Sequence, residues 1–108
     1  MLRLLPGILI LFGLFSGGAR AGGELSAAEI ARLSNMVRQD CGSCHGLTLK
    51  GGLGRPLTAD RLSAMDHETV KDIILHGIAE TPMPGWSGLL SEPEADWIAG
   101  ALKTGTIQ

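Results

Sequence analysis

The run Cys41-Gly42-Ser43-Cys44-His45 constrains this chain more than any other feature, because it gathers both cysteines and a histidine into five residues. In a helical turn, two intervening residues bring the two sulfurs to one side, and the adjacent imidazole follows them. That arrangement suits thioether attachment to the two vinyl groups on one porphyrin edge, with the histidine directed at the iron. The motif predicts one covalent haem c held by Cys41, Cys44 and His45, with His45 as proximal iron ligand. A thioredoxin-like C-x-x-C belongs after a strand in an α/β pattern, and no period-two run is present here. A zinc site needs about four ligands. His67 and His76 are the only other good candidates, and they lack the usual paired spacing.

The amino terminus reads as an export signal. Met1-Leu2-Arg3 is a short positive start, Leu4 to Phe15 is almost wholly apolar, and Ala19-Arg20-Ala21 is an A-x-A cleavage site. The apolar run falls short of the roughly 20 residues that cross a bilayer. Cleavage after Ala21 is therefore expected, with residues 22–108 forming one domain and no membrane anchor left. Loss of Arg3 and Arg20 makes the formal net charge of −2 more negative by two. Nucleic acid is excluded as a partner, since phosphate contacts need a surplus of Lys and Arg. So short a chain is marginal without a staple, and a large apolar haem supplies one.

Three main helices are predicted, giving an all-α fold wrapped around the haem. Ser26 and Glu29 form a capping-box pattern, and Ile30, Leu33, Val37, Cys41 and Cys44 continue one helical face. The segment from Cys44 to Asp66 reads mostly as loop, since Gly46, Gly51, Gly52, Gly54 and Pro56 are too many breakers for a long helix or strand. Thr58 to Leu62 has room for one helical turn. Asp66 is placed to cap a second helix carrying Val70, Ile73 and Ile74, with His76 in its last turn and Gly77 closing it. Ser91 and Glu94 repeat the capping box for a third helix, where Ala95, Ile98 and Leu102 share a face and Gly105 is the stop.

A second axial ligand has five candidates: Met36, Met65, Met83, His67 and His76. Met36 and Met65 read as packing residues, and His67 and His76 as surface or helix-end residues. Met83 stands apart because Pro82 and Pro84 remove backbone freedom on both sides. It is therefore the expected distal ligand. His45 with Met83 gives a six-coordinate iron, and a soft thioether favours the ferrous state. Such a site carries electrons and is not an enzyme; a five-coordinate haem enzyme or gas sensor is the rival reading. A carbonyl from Gly54-Arg55-Pro56-Leu57 is expected to accept the free ring N–H of His45. Trp86 is open to propionate contact or packing, and Trp97 is expected in the core between the first and third helices. Lys50, Arg55 and Arg61 face either propionates or water.

These residues resemble class I cytochrome c: a C-x-x-C-H near the front, a G-x-P-L-type loop, a late Pro-Met-Pro and a closing helix. More narrowly, Asp40 to Gly46, Leu47 to Gly54 and Thr81-Pro82-Met83-Pro84 are similar to the NirC-type small cytochromes. The resemblance covers essentially all of residues 22–108. It implies a periplasmic, monomeric, monohaem carrier in denitrification. Its implied redox partners are cytochrome cd nitrite reductase, as electron acceptor, or a protein of haem d maturation. Arg55 departs from the family habit of placing proline directly after glycine. Leu33 and Val37 occupy a stripe where first helices often carry glycine, which allows a wider helix crossing.

Overall fold

The computed structural model describes residues 24–107 together with Gly13, so the expected signal peptide and the start of the domain lie outside the described residues. Every element in it is helical: α1 (Ala27–Met36), a π-helical turn (Val37–Cys41), α2 (Gly42–His45), α3 (Ala59–Leu62), α4 (His67–His76) and α5 (Glu92–Thr104). No strand occurs among the described residues. None of the described helices is long and apolar enough to cross a membrane.

Local chemistry sets the helix starts. The Ser26 hydroxyl accepts the Glu29 N–H at 3.1 Å, and the Glu29 carboxylate accepts the Ser26 N–H at 2.6 Å. Ser91 and Glu94 repeat this box at the head of α5, where Pro93 sits in the first turn and has no N–H to orphan. Asp66 caps α4 by accepting the Thr69 N–H. At its other end α5 stops at Gly105, in the left-handed conformation at φ 73°, and Thr106 closes onto the Ala101 carbonyl at 2.9 Å.

The first helix reaches the cysteine pair as its apolar stripe predicts, but through a π turn in which the Gly42 N–H donates to the Val37 carbonyl. A five-residue hydrogen-bonded turn inserts one extra residue. It therefore shifts the phase of α2 relative to α1 by roughly 100°, one residue's rotation. Periodicity alone does not reveal it.

The core is built where α5 meets α1, α3 and α4. Leu33 and Val37 are fully buried, and α5 presents Ala95 and Ala99, also fully buried. Leu33 and Val37 are thus accommodated inside where first helices often carry glycine, and the buried small residues are on α5. Along α4 the buried residues are Val70, Ile74 and Leu75, with Ile73 only half-buried. Leu75 displaces Ile73 from the expected stripe because the returning loop covers it: Ser87 donates to the Leu75 carbonyl at 3.0 Å. Ala101 and Leu102 join Ala95 and Ile98 inside. Trp97 and Trp86 are half-buried and pack against this core from its edge.

One polar tie spans α1 and α5. The Arg32 guanidinium donates to Glu94, whose side chain is only 17% exposed. The Ser91 N–H first, and Arg32 after it, hold the Glu94 carboxyl below its ordinary range against the opposing effect of burial. A carboxylate with a lowered folded pKa stabilises the fold above its unfolded pKa, and the effect is lost as pH falls through the folded value. Wild type should therefore unfold at higher denaturant than Glu94→Gln at neutral pH, with the gap closing on acidification. Denaturant titrations of the two proteins from pH 7 to pH 3 test this; a gap that stays constant rules out the ionised tie.

Candidate haem site

The π turn and α2 carry Cys41, Cys44 and His45, and the loop before α5 carries Met83. Cys41 ends the π turn, Cys44 lies inside α2, and His45 is its last residue. Cys41 is half-buried and packs against the core. Burial foremost, and the Asp40 carboxylate after it, push its thiol up to about 11. Cys44 is exposed, and the Ser43 hydroxyl beside it donates to the Asp40 carbonyl at 2.7 Å.

The loop after His45 folds back on the motif. Gly46 leaves α2 at φ 91°, a conformation side chains disfavour. Gly51 donates to the His45 carbonyl at 2.8 Å, and Gly54 donates to the Cys44 carbonyl at 2.7 Å. Leu49, fully buried, pins the loop to the core and accepts from Leu57 at 2.8 Å. This path brings the Arg55 carbonyl to 2.6 Å from His45 Nδ1. A carbonyl only accepts, so Nδ1 carries the proton and Nε2 keeps its lone pair. The carbonyl expected somewhere between Gly54 and Leu57 is thus that of Arg55, the residue whose insertion departs from the family habit. Pro56 restricts Arg55 to extended backbone, which fixes the direction of that carbonyl.

Glycine at position 54 is a steric requirement. A Cβ there would lie 2.6 Å from His45 Nδ1, and one at Gly52 would lie 2.7 Å from the Cys44 carbonyl oxygen. In the sequence these glycines read only as breakers, and their contact with the imidazole and the motif is missed. The G-x-G pattern ahead of Arg55-Pro56 is the signal that points to it.

The second loop is tied to the end of α4. Gly77 turns the chain at φ 70°, and Ile78 donates to the Met83 carbonyl at 3.3 Å. The Thr81 hydroxyl donates to the Ile78 carbonyl at 2.8 Å and accepts the Met83 N–H at 3.3 Å. Trp86 and Ser87 donate to the Ile74 and Leu75 carbonyls at 2.9 and 3.0 Å. Gly85 packs so closely that a Cβ would meet the Leu75 carbonyl at 2.7 Å. The Met83 backbone is therefore held from both sides.

The other axial candidates are engaged elsewhere or lie apart. Met36 and Met65 are half-buried against the core, whereas Met83, also half-buried, is not among the residues packed on it. His67 Nε2 meets Asp96 at 2.8 Å. Glu68 completes a group of ligand-type atoms within 4.8 Å of one another, but Lys71 already occupies Glu68 at 2.8 Å. His76 is exposed at the end of α4. The donor set left available is two thiols, an imidazole with a free Nε2 and a thioether, which fits a covalent haem and its iron.

Comparison with known proteins agrees with this chemistry. Residues 27–100 match the family described as cytochrome c oxidase, cbb3-type, subunit III. Cytochrome c55X of Paracoccus denitrificans is 51% identical over 100 residues, covering 92% of this chain and 96% of that protein. A solved structure of the c-type cytochrome NirC is 44% identical with a TM-score of 0.75, covering 77% of this chain and 98% of that one. Dihydro-heme d1 dehydrogenase of Pseudomonas aeruginosa is 35% identical over 80 residues, which are 74% of this chain but 16% of that protein. The chain therefore belongs to this cytochrome c family and, within it, to the NirC-type small c-type cytochromes, which carry haem c with its iron in covalent attachment.

Proposed function

We propose that this chain is an exported, periplasmic, monomeric monohaem carrier that passes single electrons to cytochrome cd nitrite reductase. Cys41 and Cys44 would hold the haem through thioether bonds, and His45 Nε2 and Met83 would supply the ligands to its iron. The bound haem supplies a one-electron ferric/ferrous couple. The observation that carries the reading is the 2.6 Å contact between His45 Nδ1 and the Arg55 carbonyl. It fixes the tautomer, orients the ring and raises the basicity of the nitrogen left for iron. Met83, on a loop tethered at both flanks, closes the remaining position with a soft donor that raises the potential. With both ligands supplied by the chain, exogenous ligands would be excluded, and the chain's own chemistry would be orientation and shielding.

A second reading places the chain in haem d maturation, taking electrons one at a time from the oxidation of a dihydro-haem. The relatedness of its 80 residues to part of a dihydro-heme d1 dehydrogenase favours it. In both readings the redox chemistry of the site is the same and only the client differs.

Three measurements test these assignments. In oxidised holoprotein, Met83→Ala should abolish the sulfur-to-iron charge-transfer band, lower the potential and open the ferrous form to carbon monoxide. A wild type that lacks the band and binds carbon monoxide freely would return the five-coordinate enzyme or sensor. Gly54→Ala should displace the ring or the loop, costing about 1–3 kcal/mol of holoprotein stability and shifting the potential. Gly88→Ala, with nothing within 4 Å of the new methyl, should be neutral in both; equal effects at the two sites contradict the steric argument. Deleting the gene and assaying the purified nitrite reductase separates the two clients. Reductase with full haem d excludes an essential maturation role, and reductase lacking haem d excludes simple donation.

A further inference from the structure

The loop that fixes His45 also presents an apolar side chain to solvent. Leu53 is 97% exposed at the tip, between Gly52 and Gly54, and Leu47 at the base of the same loop is 68% exposed. This exposure does not reflect a loose loop. The residues flanking Leu53 are bonded inward: Gly54 N–H to the Cys44 carbonyl at 2.7 Å, and Gly52 N–H to the Gly54 carbonyl at 3.0 Å. A rigid apolar knob loses little entropy when it is covered, which makes it a favourable contact for a partner and a poor one for water. The loop approaches His45 at Nδ1 and Cε1. It therefore stands on the Nδ1 side of the ring, bonded at the nitrogen that does not bind iron.

Along the loop itself the charge has one sign, and Asp60 follows it on the wall of the pocket that Lys50 also lines. Lys50 and Arg55 are both exposed, and neither is ion-paired among the described residues. No Asp or Glu occurs between Gly46 and Ala59, whereas the chain from Asp60 onward carries eight acidic and three basic residues. An apolar point with cationic neighbours on an otherwise acidic protein selects a partner with an apolar socket rimmed by carboxylates. It orients the encounter as well, because the rest of the surface repels the same rim.

Resting on the carrier reading above, we propose that Leu53, flanked by Lys50 and Arg55, is the docking point for an acidic redox protein. The electron crosses there by the short backbone path from the tip to Cys44 and His45. One electron leaves the haem iron and one enters the partner, with no atom transferred. The path is continuous: Leu53 precedes Gly54, which bonds the Cys44 carbonyl and touches the imidazole, and Arg55 bonds Nδ1.

The test mixes reduced holoprotein with oxidised cytochrome cd nitrite reductase by stopped flow at several ionic strengths. Leu53→Ser and Lys50→Glu should each lower the second-order rate about tenfold at low salt, and Lys50→Glu should weaken or invert the salt dependence. Leu89→Ser, which removes another leucine with 70% exposure, should stay within about twofold of wild type. Potential and charge-transfer band should match wild type in all three. Wild-type rates in Leu53→Ser would overturn the docking point while leaving the carrier reading intact. If wild type fails with nitrite reductase but accepts electrons from dihydro-heme d1 dehydrogenase, the donor reading falls and the same variants decide the docking point with that enzyme. Exchange with neither overturns both. A wild-type dimer made monomeric by Leu53→Ser in sedimentation would assign the tip to self-association. Binding to phosphatidylglycerol vesicles lost in Leu53→Ser would assign it to a membrane. Either result replaces the proposal.

Discussion

The hydrogen bond from His45 Nδ1 to the Arg55 carbonyl is the interaction on which the site depends, and the chain is arranged to deliver it. Ten residues separate the partners, so the loop must reverse direction over a short path. It does so by using the carbonyls that α2 leaves open at its end: His45 accepts from Gly51 and Cys44 accepts from Gly54. A helix terminus that otherwise turns to water thereby becomes the anchor of the loop that orients its last side chain. Leu49 couples the same loop to the core, so movement of the imidazole would require movement of a fully buried residue.

The loop before α5 repeats this logic at the end of α4. Its backbone is fastened to Ile74 and Leu75 through Trp86 and Ser87, and glycines at 77 and 85 permit the close approach. Two helix ends thus serve as mounts for two proposed iron ligands. Mounts that move little suit single-electron exchange, because a site whose geometry is the same in both oxidation states has little to reorganise. Helix α5 closes the assembly by packing against α1, α3 and α4, with Ala95 and Ala99 fully buried. Glu94 serves twice there, completing the cap of α5 and tying that helix to Arg32 of α1.

Rigidity at the motif has an outward consequence as well. Folding the loop tightly onto His45 leaves no room for its tip residue inside, and Leu53 is driven into solvent between two glycines whose backbones are committed inward. The feature that orients the proposed ligand is therefore the one that offers the proposed contact to a partner. That loop carries basic residues without acidic ones while the chain from Asp60 onward is net acidic, which gives a small protein a directional surface.

The sequence by itself determined whatever depends on neighbours along the chain. Ser26 with Glu29, Asp66, Ser91 with Glu94, Gly77 and Gly105 marked helix ends because capping bonds join residues three or four positions apart. The spacing of Cys41, Cys44 and His45 marked the proposed point of haem attachment for the same reason, and the prolines around Met83 marked a stiff loop. Only the tertiary structure decided relations between distant segments. It chose Arg55 from the carbonyls near Pro56, gave Gly54 its contact with the imidazole, buried Leu75 ahead of Ile73 and paired His67 with Asp96. The π turn also stayed hidden, because one additional residue in a hydrogen-bonded ring changes no apolar spacing on its own side. Local hydrogen-bond geometry is written in short-range order, whereas which carbonyl meets which ring depends on the path of the whole chain.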